Sequence, residues 1–215
     1  EVVESPEGPL LVLAGAGSGK TRAIVGRIVH LITARGVHPE RILAVTFTNK
    51  AAGEMRERIE TLVGVTASDI WIGTFHSICV RLLRYESQAF GLDANFSIYD
   101  EDDRRATVRR ILEAHNIDER DLSPRSVIAQ VSQAKNAMLD PVEFLHQAGD
   151  NPGRRKMADL YTAYETELRR NNAFDFDDLL MKPVELLEHH PELLERYRER
   201  FSFILVDEYQ DTNRA

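Results

Sequence analysis

Residues 10–22 read LLVLAGAGSGKTR, and this stretch decides the class of fold. The apolar run at 10–14 predicts a short buried strand, and the glycines after it predict a turn into a helix that ends near residue 34. A glycine-rich turn between a strand and a helix, closed by Gly-Lys-Thr, is typical of a phosphate-binding P-loop. The usual pattern begins with glycine where this chain has Ala14, so an ordinary tight strand–helix turn is the alternative interpretation.

The P-loop interpretation gives a role to each residue of the turn. Glycines let backbone N–H groups point inward around phosphate oxygens, and the helix N-terminus adds a partial positive charge. Lys20 is expected to reach the β- and γ-phosphates, and the Thr21 hydroxyl is expected to bind Mg²⁺. The residues expected to hold the nucleotide are Ala14, Gly15, Ala16, Gly17, Ser18, Gly19, Lys20 and Thr21.

Alternating strands and helices follow the P-loop and then stop. Apolar runs at 42–47 and 70–73 predict two more buried strands, separated by a helix at 50–62, which indicates a parallel sheet with helices on its faces. Residues 75–199 show helical spacing and no convincing strand, and a strand returns at 201–206. We therefore predict an α/β fold in which a helical subdomain interrupts an incomplete P-loop sheet.

Local signals place several helix starts in the interrupting block. Asp100 is typical of an N-cap, and Ser123-Pro124 and Asp140-Pro141 are typical of an N-cap followed by proline at the first helical position.

Charged clusters in the same block each have two interpretations. Asp175, Asp177 and Asp178 suggest a metal site or a helix cap, and capping is favoured because the cluster opens a helix and an oxygen cage needs more ligands. Basic clusters are interpreted as solvated helix faces in preference to DNA contacts. These clusters are Arg104 and Arg105, Arg109 and Arg110, residues 154–156, and Arg169 and Arg170.

The segment FILVDE at 203–208 is an apolar strand that ends in two carboxylates. A strand beside the P-loop strand would deliver Asp207 to Mg²⁺, and Glu208 would orient or deprotonate the attacking water. A surface acidic pair after a strand is the alternative. Because both halves of one site occur in the same chain, the sequence favours a nucleoside triphosphatase in which Lys20 and Asp207 meet.

Composition limits the remaining classes of protein. Hydrophobic residues make up 43% of the chain, which supports a packed core, and its apolar runs are too short to span a bilayer. Cys79 is the single cysteine, so no internal disulfide is expected, and both Cys79 and Trp71 are expected to pack in the core. No secretory leader opens the sequence, so a cytoplasmic location is expected. The formal net charge of −8 argues mildly against a protein that coats duplex DNA.

Five segments, in this order, resemble the motifs of superfamily 1 DNA helicases of the UvrD/PcrA/Rep type. They read LVLAGAGSGKTR at 11–22, AVTFTNKAAGEM at 44–55, GTFHS at 73–77, FDFDDLL at 174–180 and VDEYQDTN at 206–213. The last string is the most specific, and together the segments cover essentially the whole chain. The resemblance implies a RecA-like P-loop domain in two parts, at 1–91 and 173–215, with the all-helical subdomain inserted at 92–172.

The resemblance also implies an activity, namely ATP-dependent DNA unwinding with 3′→5′ polarity, with ATP and Mg²⁺ as cofactors. It adds Arg22 to the nucleotide-binding residues and gives Gln210 a part in coupling nucleotide state to DNA. The catalytic residues that it implies are Lys20, Asp207, Glu208 and Gln210, and the metal ligands are Thr21 and Asp207.

DNA contacts are expected at the carboxyl ends of two strands, where ligands meet folds of this kind. Phe47 is expected to stack on a base, with a core position as its alternative, and His76 to contact the DNA backbone, with helix capping as its alternative. The DNA-binding residues implied by the resemblance are Thr46, Phe47, Thr48, Asn49, Thr74 and His76. The expected partners are single-stranded DNA and single-strand/double-strand junctions, and no membrane.

The resemblance is incomplete at both ends of the sequence. The family carries an adenine-reading glutamine just before the point where this sequence begins, at Glu1, and its later motifs, arginine fingers and second RecA-like domain would follow Ala215. We therefore expect an N-terminal fragment that binds nucleotide weakly and does not unwind DNA alone. The motor of a recombination helicase–nuclease and a nucleotide-gated single-strand-binding module are the open alternatives.

Overall fold

The computed structural model describes residues 2–15, 17–64 and 69–211. The chain divides into two compact units, which we call unit 1 (Glu1–Ile78 with His190–Arg214) and unit 2 (Cys79–His189). The subdomain boundaries expected at residues 92 and 172 stay a prediction.

Helices and strands alternate at the start of the chain, and helices dominate its middle. The helices are α1 (Lys20–Thr33), α2 (Asn49–Val63), α3 (Phe75–Tyr85), α4 (Glu101–Ala114), α5 (Pro124–Asn136), α6 (Pro141–Ala148), α7 (Pro152–Arg170), α8 (Asp178–His189) and α9 (Pro191–Arg200). The strands are β1 (Ile42–Thr46), β2 (Trp71–Thr74), β3 (Ser97–Tyr99), β4 (Ala173–Asp175) and β5 (Phe203–Val206). None of the described helices is long and apolar enough to cross a lipid bilayer.

Unit 1 is built on a parallel sheet in the order β2-β1-β5. The central strand β1 is almost completely buried, which explains its continuous apolar sequence, because both faces of a parallel strand are covered. Val45 of β1 lies beside Gly73 of β2 and Val206 of β5. The three strands therefore end at the same edge of the sheet, and the segments that follow them start there.

The strand predicted at residues 10–14 is wrong. This segment has no strand pairing, and its side chains face solvent, with Leu13 88% exposed and Leu11 67% exposed. An apolar run becomes a strand only where a neighbour pairs with its backbone, and none of the described strands does so here. The expectation that Lys20 and Asp207 follow neighbouring strands is wrong for the same reason.

Helices α1 and α2 supply the core that covers the sheet of unit 1. Their buried side chains recur at helical spacing and meet the apolar side chains of β1 and β2. These helical core residues are Val25, Ile28, Leu31, Ala52, Met55 and Ile59. The core position expected for Trp71 is confirmed: its ring is fully buried, with the Phe201 ring centroid 5.0 Å away and the Arg200 guanidinium carbon 4.9 Å from its own centroid.

Unit 2 is mainly a bundle of helices with one small sheet. The predicted N-caps are confirmed, since the side chains of Asp100, Ser123 and Asp140 accept hydrogen bonds from the first turns of α4, α5 and α6. The expectation of no strand between residues 75 and 199 is wrong, because β3 and β4 form a parallel pair. Each has three residues, which is too short for an alternating pattern to be recognised in sequence.

A buried ionic network joins α5, α7, β4 and α8 in unit 2. The fully buried Lys135 ammonium lies 3.0 Å from Asp175 Oδ2, 2.8 Å from Asp178 Oδ1 and 2.7 Å from Glu165 Oε1. The Tyr164 hydroxyl donates to Asp175 Oδ2 at 3.0 Å. Burial raises the pKa of Asp178 to about 8, against the opposing effect of Lys135.

The aspartates of this network also cap α8, as the sequence predicts. The Asp178 N–H donates to Asp175 Oδ1 at 2.9 Å, and the Asp175 N–H donates to Asp178 Oδ2 at 3.1 Å. The solvated position expected for Arg104 is wrong: the side chain is buried, with Nη2 3.0 Å from Asp177 Oδ2. Arg104 precedes the buried Thr107 by three residues, so it lies on the buried face of α4.

Candidate nucleotide and nucleic-acid site

The glycine-rich turn leads directly into α1, as a P-loop requires. Gly17 and Gly19 have φ values of 75° and 91°, a left-handed backbone that favours glycine. A Cβ atom added at Gly15 or Gly17 would meet nothing within 4 Å, so there is open space beside these two glycines. The Ser18 hydroxyl donates to the Gly15 carbonyl at 2.6 Å and braces the turn. Ala16, expected to bind nucleotide, lies outside the described residues.

The two carboxylate side chains that follow β5, those of Asp207 and Glu208, have different environments. The Asp207 N–H donates to the Val45 carbonyl at 2.9 Å, which extends the β-ladder by one bond and holds Asp207 in the interior. Glu208 has a φ of 52°, a left-handed conformation that costs a residue other than glycine about 1–3 kcal/mol. The Gln210 amide donates to Glu208 Oε2, and this hydrogen bond, followed by that from Lys20, lowers the pKa of Glu208.

The two motifs meet in space at the start of α1. The Thr21 hydroxyl donates to Asp207 Oδ2 at 3.2 Å, and Lys20 Nζ lies 3.3 Å from Glu208 Oε1. Each P-loop side chain thus faces one of the two carboxylates, although the pairs are far apart in sequence. The arrangement sets an ammonium, a hydroxyl and two carboxylates beside the glycine-rich turn.

This donor set fits a magnesium-bound triphosphate. Thr21 Oγ1 and Asp207 Oδ2 are hard oxygen ligands of the kind that Mg²⁺ takes, and Mg²⁺ commonly keeps further waters and phosphate oxygens. Gly15, Gly17 and Gly19 supply the backbone freedom that a phosphate cradle needs, and Lys20 adds the positive charge. Arg22 is exposed on the first turn of α1, and Ala14 is partly buried before the turn.

The segment after β1 exposes an aromatic side chain beside two internally bonded threonines. Phe47 is 60% exposed, so the alternative of a core position is wrong. Thr46 is fully buried and donates to the Thr48 carbonyl at 3.0 Å, and Thr48 Oγ1 accepts from the Ala51 N–H at 3.1 Å and caps α2. Asn49 is exposed. Phe47 and Asn49 therefore face solvent in this segment.

The segment after β2 folds back onto the start of α3. Thr74 Oγ1 accepts from the Ser77 N–H at 3.2 Å, and the Ser77 hydroxyl donates to the Thr74 carbonyl at 2.9 Å. A Cβ atom at Gly73 would lie 2.3 Å from Ser77 Oγ, so this position needs glycine. His76 is half-buried in the same turn. The structure thus gives Thr74 a capping role and leaves His76 partly accessible.

Comparison with known proteins decides the family. The family model described as the UvrD/REP helicase N-terminal domain matches residues 1–215. The chain belongs to the UvrD/REP helicase N-terminal domain family. The ATP-dependent DNA helicase PcrA of Leuconostoc citreum is 48% identical over 216 residues, and those of Bacillus subtilis (strain 168) and Staphylococcus aureus (strain Mu50) are 47% and 46% identical over 215 residues. The chain spans about 29% of the length of these relatives, and all of it is covered.

Family membership confirms the predicted fold class, a mixed α/β domain with a small parallel sheet and many helices, as in a RecA-like helicase domain. Ser77 and Lys135 form local contacts in this UvrD/REP domain that were not predicted from the sequence. Ser77 fixes the turn after β2, and it could have been recognised as the fourth residue of a Thr-x-x-Ser cap. Lys135 could have been recognised because it follows the buried Val131 by four residues, on the apolar stripe of α5.

Proposed function

We propose that this chain is the ATP- and single-strand-binding part of an ATP- and Mg²⁺-dependent DNA helicase that moves 3′→5′ in the cytoplasm. The meeting of Lys20 and Thr21 with Glu208 and Asp207 carries the nucleotide half of this proposal. The printed names of the relatives, ATP-dependent DNA helicases, support the DNA half and the coupling to ATP. The polarity rests on the sequence resemblance.

Each residue of the site has a separate role in the proposed hydrolysis of the phosphoanhydride bond. Lys20 and the backbone of the turn hold the phosphates, and Thr21 and Asp207 hold Mg²⁺, which supplies charge neutralisation at the transferred phosphoryl group. Glu208 orients the attacking water and accepts its proton. Gln210 holds Glu208 through its side-chain amide and thereby positions the base.

The DNA side of the proposal rests on the strand ends of the parallel sheet. Phe47 presents its ring to solvent, which suits stacking on an unpaired base, and Asn49 offers an amide to sugar or phosphate. Thr46, Thr48 and Thr74 shape the backbone around these contacts through their internal hydrogen bonds. Single-stranded DNA and its junctions with duplex are the proposed substrates.

We propose that the chain alone binds nucleotide and single-stranded DNA but does not unwind duplex DNA. In related phosphoryl-transfer reactions, an arginine supplied by a partner domain raises the rate of hydrolysis by about 10³–10⁵-fold. We propose that a second RecA-like domain of the longer relatives supplies that group and closes over the nucleotide. We also propose that the helical subdomain, expected at 92–172, is an insertion into the RecA-like domain.

Binding measurements on the 215-residue chain test the proposal. A fluorescent ATP analogue should bind in the presence of Mg²⁺, and Lys20→Ala should abolish this binding, whereas Lys156→Ala, which removes an exposed lysine of α7, should not. A labelled single-stranded oligonucleotide should bind in a fluorescence-anisotropy titration. Nucleotide binding that is unchanged in Lys20→Ala would contradict the proposed site, and ATP-driven unwinding by the chain would contradict the need for a partner domain.

A further inference from the structure

The first residues of the chain contact α1 and the residues that follow it in unit 1. The Arg27 guanidinium donates through Nη1 to the Val3 carbonyl at 2.8 Å, in a partly buried position. Glu7 Oε1 lies 3.1 Å from Arg35 Nη1, just after α1, but solvent reaches this ion pair and makes it weak. The Arg27 bond has a charged donor and is the stronger contact. We call residues 2–9 the N-terminal strap, and Arg27 is its main anchor.

A glycine in the middle of α1 makes room for the strap. A Cβ atom added at Gly26 would lie 3.0 Å from Val3 Cγ2, which is tighter than ordinary van der Waals contact. Among the described residues outside α1, both atoms within 4 Å of that Cβ belong to Val3. Glycine inside a helix is less stabilising than alanine, so the contact with Val3 gives a physical reason for glycine at this position.

The strap leads into the glycine-rich turn through residues 10–14. None of the described strands pairs with this connecting segment, and its Leu13 is 88% exposed. The other end of the turn is fixed, because α1 begins at Lys20. The bond from Arg27 to Val3 therefore closes a loop that contains the whole turn, and this closure limits how far the upstream side of the turn can move.

We propose that Gly26 and Arg27 are positioning residues for nucleotide binding, because they hold the N-terminal strap on α1 and thereby hold the glycine-rich turn in the conformation that binds a triphosphate. This inference rests on the proposed function of the chain, since it needs a nucleotide in that turn. A turn that is fixed at both ends loses less conformational freedom when it binds a ligand. The linkage is reciprocal, so a bound nucleotide also holds the strap on the helix.

Binding of a fluorescent ATP analogue with Mg²⁺ to the 215-residue chain tests the inference. Arg27→Met removes the donor to the Val3 carbonyl and should weaken nucleotide binding by about threefold to tenfold, because the ligand must then order the turn. Arg27→Lys keeps the charge and a donor and should recover part of this loss. The control Arg56→Met removes a guanidinium bond of the same length, to the Ile72 carbonyl, from α2 and should leave nucleotide affinity near wild type.

Gly26→Ala separates the strap from the stability of the helix. The added methyl group displaces Val3 whereas alanine favours the helix, so nucleotide binding should weaken by about threefold without a loss of helix content in circular dichroism. Gly53→Ala makes the same change in α2, where the added Cβ meets nothing within 4 Å, and should not alter nucleotide binding. Adding Val3→Ala to Gly26→Ala removes the two methyl groups that the new Cβ meets and should restore most of the affinity.

Cleavage by a glutamate-specific protease reports the position of the strap directly. Glu4 and Glu7 are exposed, and intact mass measures the loss of the segment before each of them. Both Arg27→Met and Gly26→Ala should be cleaved there faster than wild type, and the ATP analogue should slow this cleavage in the wild-type chain.

The outcomes separate this inference from the function on which it rests. If the wild-type chain binds no nucleotide, the proposed function fails and this inference with it. If wild type binds nucleotide and Arg27→Met and Gly26→Ala match their α2 controls in affinity, this inference alone is overturned. Faster cleavage of the strap with unchanged nucleotide affinity also overturns it. If Arg27→Met does not fold, Gly26→Ala and its rescue by Val3→Ala decide the question.

Discussion

The Lys20 ammonium lies 3.3 Å from a carboxylate oxygen of Glu208, so the lysine proposed to bind phosphate and the proposed base share one ion pair. The two side chains are 29% and 35% exposed, and an ion pair that solvent reaches in this way is weak. A triphosphate that binds Lys20 would therefore displace Glu208 from this ion pair with little loss of free energy. The same contact orients Glu208 toward the position of the phosphates before hydrolysis.

Replacing Glu208 by Gln should separate nucleotide binding from hydrolysis. The amide removes the charge that competes for Lys20, so a fluorescent ATP analogue should bind up to about fivefold tighter. In a full-length helicase of this family, the equivalent change should abolish ATP turnover, because the proposed base is lost. Glu54→Gln removes a similarly exposed, ion-paired glutamate from α2 and should change neither quantity. Weaker nucleotide binding in Glu208→Gln would contradict the competition.

The hydrogen bond between Thr21 and Asp207 predicts where magnesium acts. Thr21→Val removes a proposed oxygen ligand, and Asp207→Asn replaces a charged carboxylate by a neutral amide, so the gain in nucleotide affinity on adding Mg²⁺ should fall on the order of tenfold or more. The measurement is a titration of the ATP analogue with and without Mg²⁺. Thr33→Val, which alters a threonine at the other end of α1, should keep the full gain. A full magnesium effect in both site variants would exclude these residues as ligands.

Phe47 should contribute to DNA binding and little to stability. Because its ring is 60% exposed, Phe47→Ala should change the free energy of unfolding by no more than about 0.5 kcal/mol. Loss of one stacked base should weaken single-strand binding by roughly fivefold to a hundredfold, measured by anisotropy. Leu62→Ala removes an equally exposed apolar side chain from α2 and is the matched control. Equal DNA affinity in both variants would leave Phe47 without the proposed role.

The sequence predicted best those features that depend on neighbours along the chain. The turn into α1 and the caps at Asp100, Ser123 and Asp140 are local patterns, and the structure contains them. The carboxylates after β5 were also predictable, because an apolar run that ends in Asp-Glu is visible without the fold.

Features that depend on distant partners were not predictable from the same patterns. The segment at 10–14 has the apolar character of a strand, but pairing decides whether a strand forms. The charge of Arg104 suggested solvent, but Asp175 and Asp177 compensate for its burial and are far along the chain. The strands β3 and β4 exist because each pairs with the other across many intervening residues.

Lys135 should be the most sensitive charged position of unit 2. Lys135→Met would leave the buried Asp175 carboxylate without the Lys135 cation, and breaking such a pair costs about 3–5 kcal/mol. Urea unfolding followed by circular dichroism should show this loss. Lys156→Met, at an exposed position of α7, should stay within about 0.5 kcal/mol of wild type. A small effect in Lys135→Met would mean that the carboxylates find water or protons instead.

The pKa of Asp178 predicts how the stability of unit 2 depends on pH. Burial raises this pKa from 3.8 to about 8, so between these values the folded chain keeps a proton that the unfolded chain releases. Proton uptake on folding means that the stabilising contribution is complete below pH 3.8 and is lost as pH rises to 8, by about 1.4 kcal/mol per pH unit at most. The lowered pKa of Asp175 acts at lower pH and leaves this window unaffected.

Asp178→Asn cannot ionise, and its amide oxygen can still accept from the Asp175 N–H, so its unfolding free energy should decline less between pH 5 and pH 8. Urea titrations at several pH values, with Asp159→Asn on the exposed face of α7 as control, compare the slopes. Parallel pH profiles for Asp178→Asn and wild type would show that Asp178 is ionised throughout, held by Lys135.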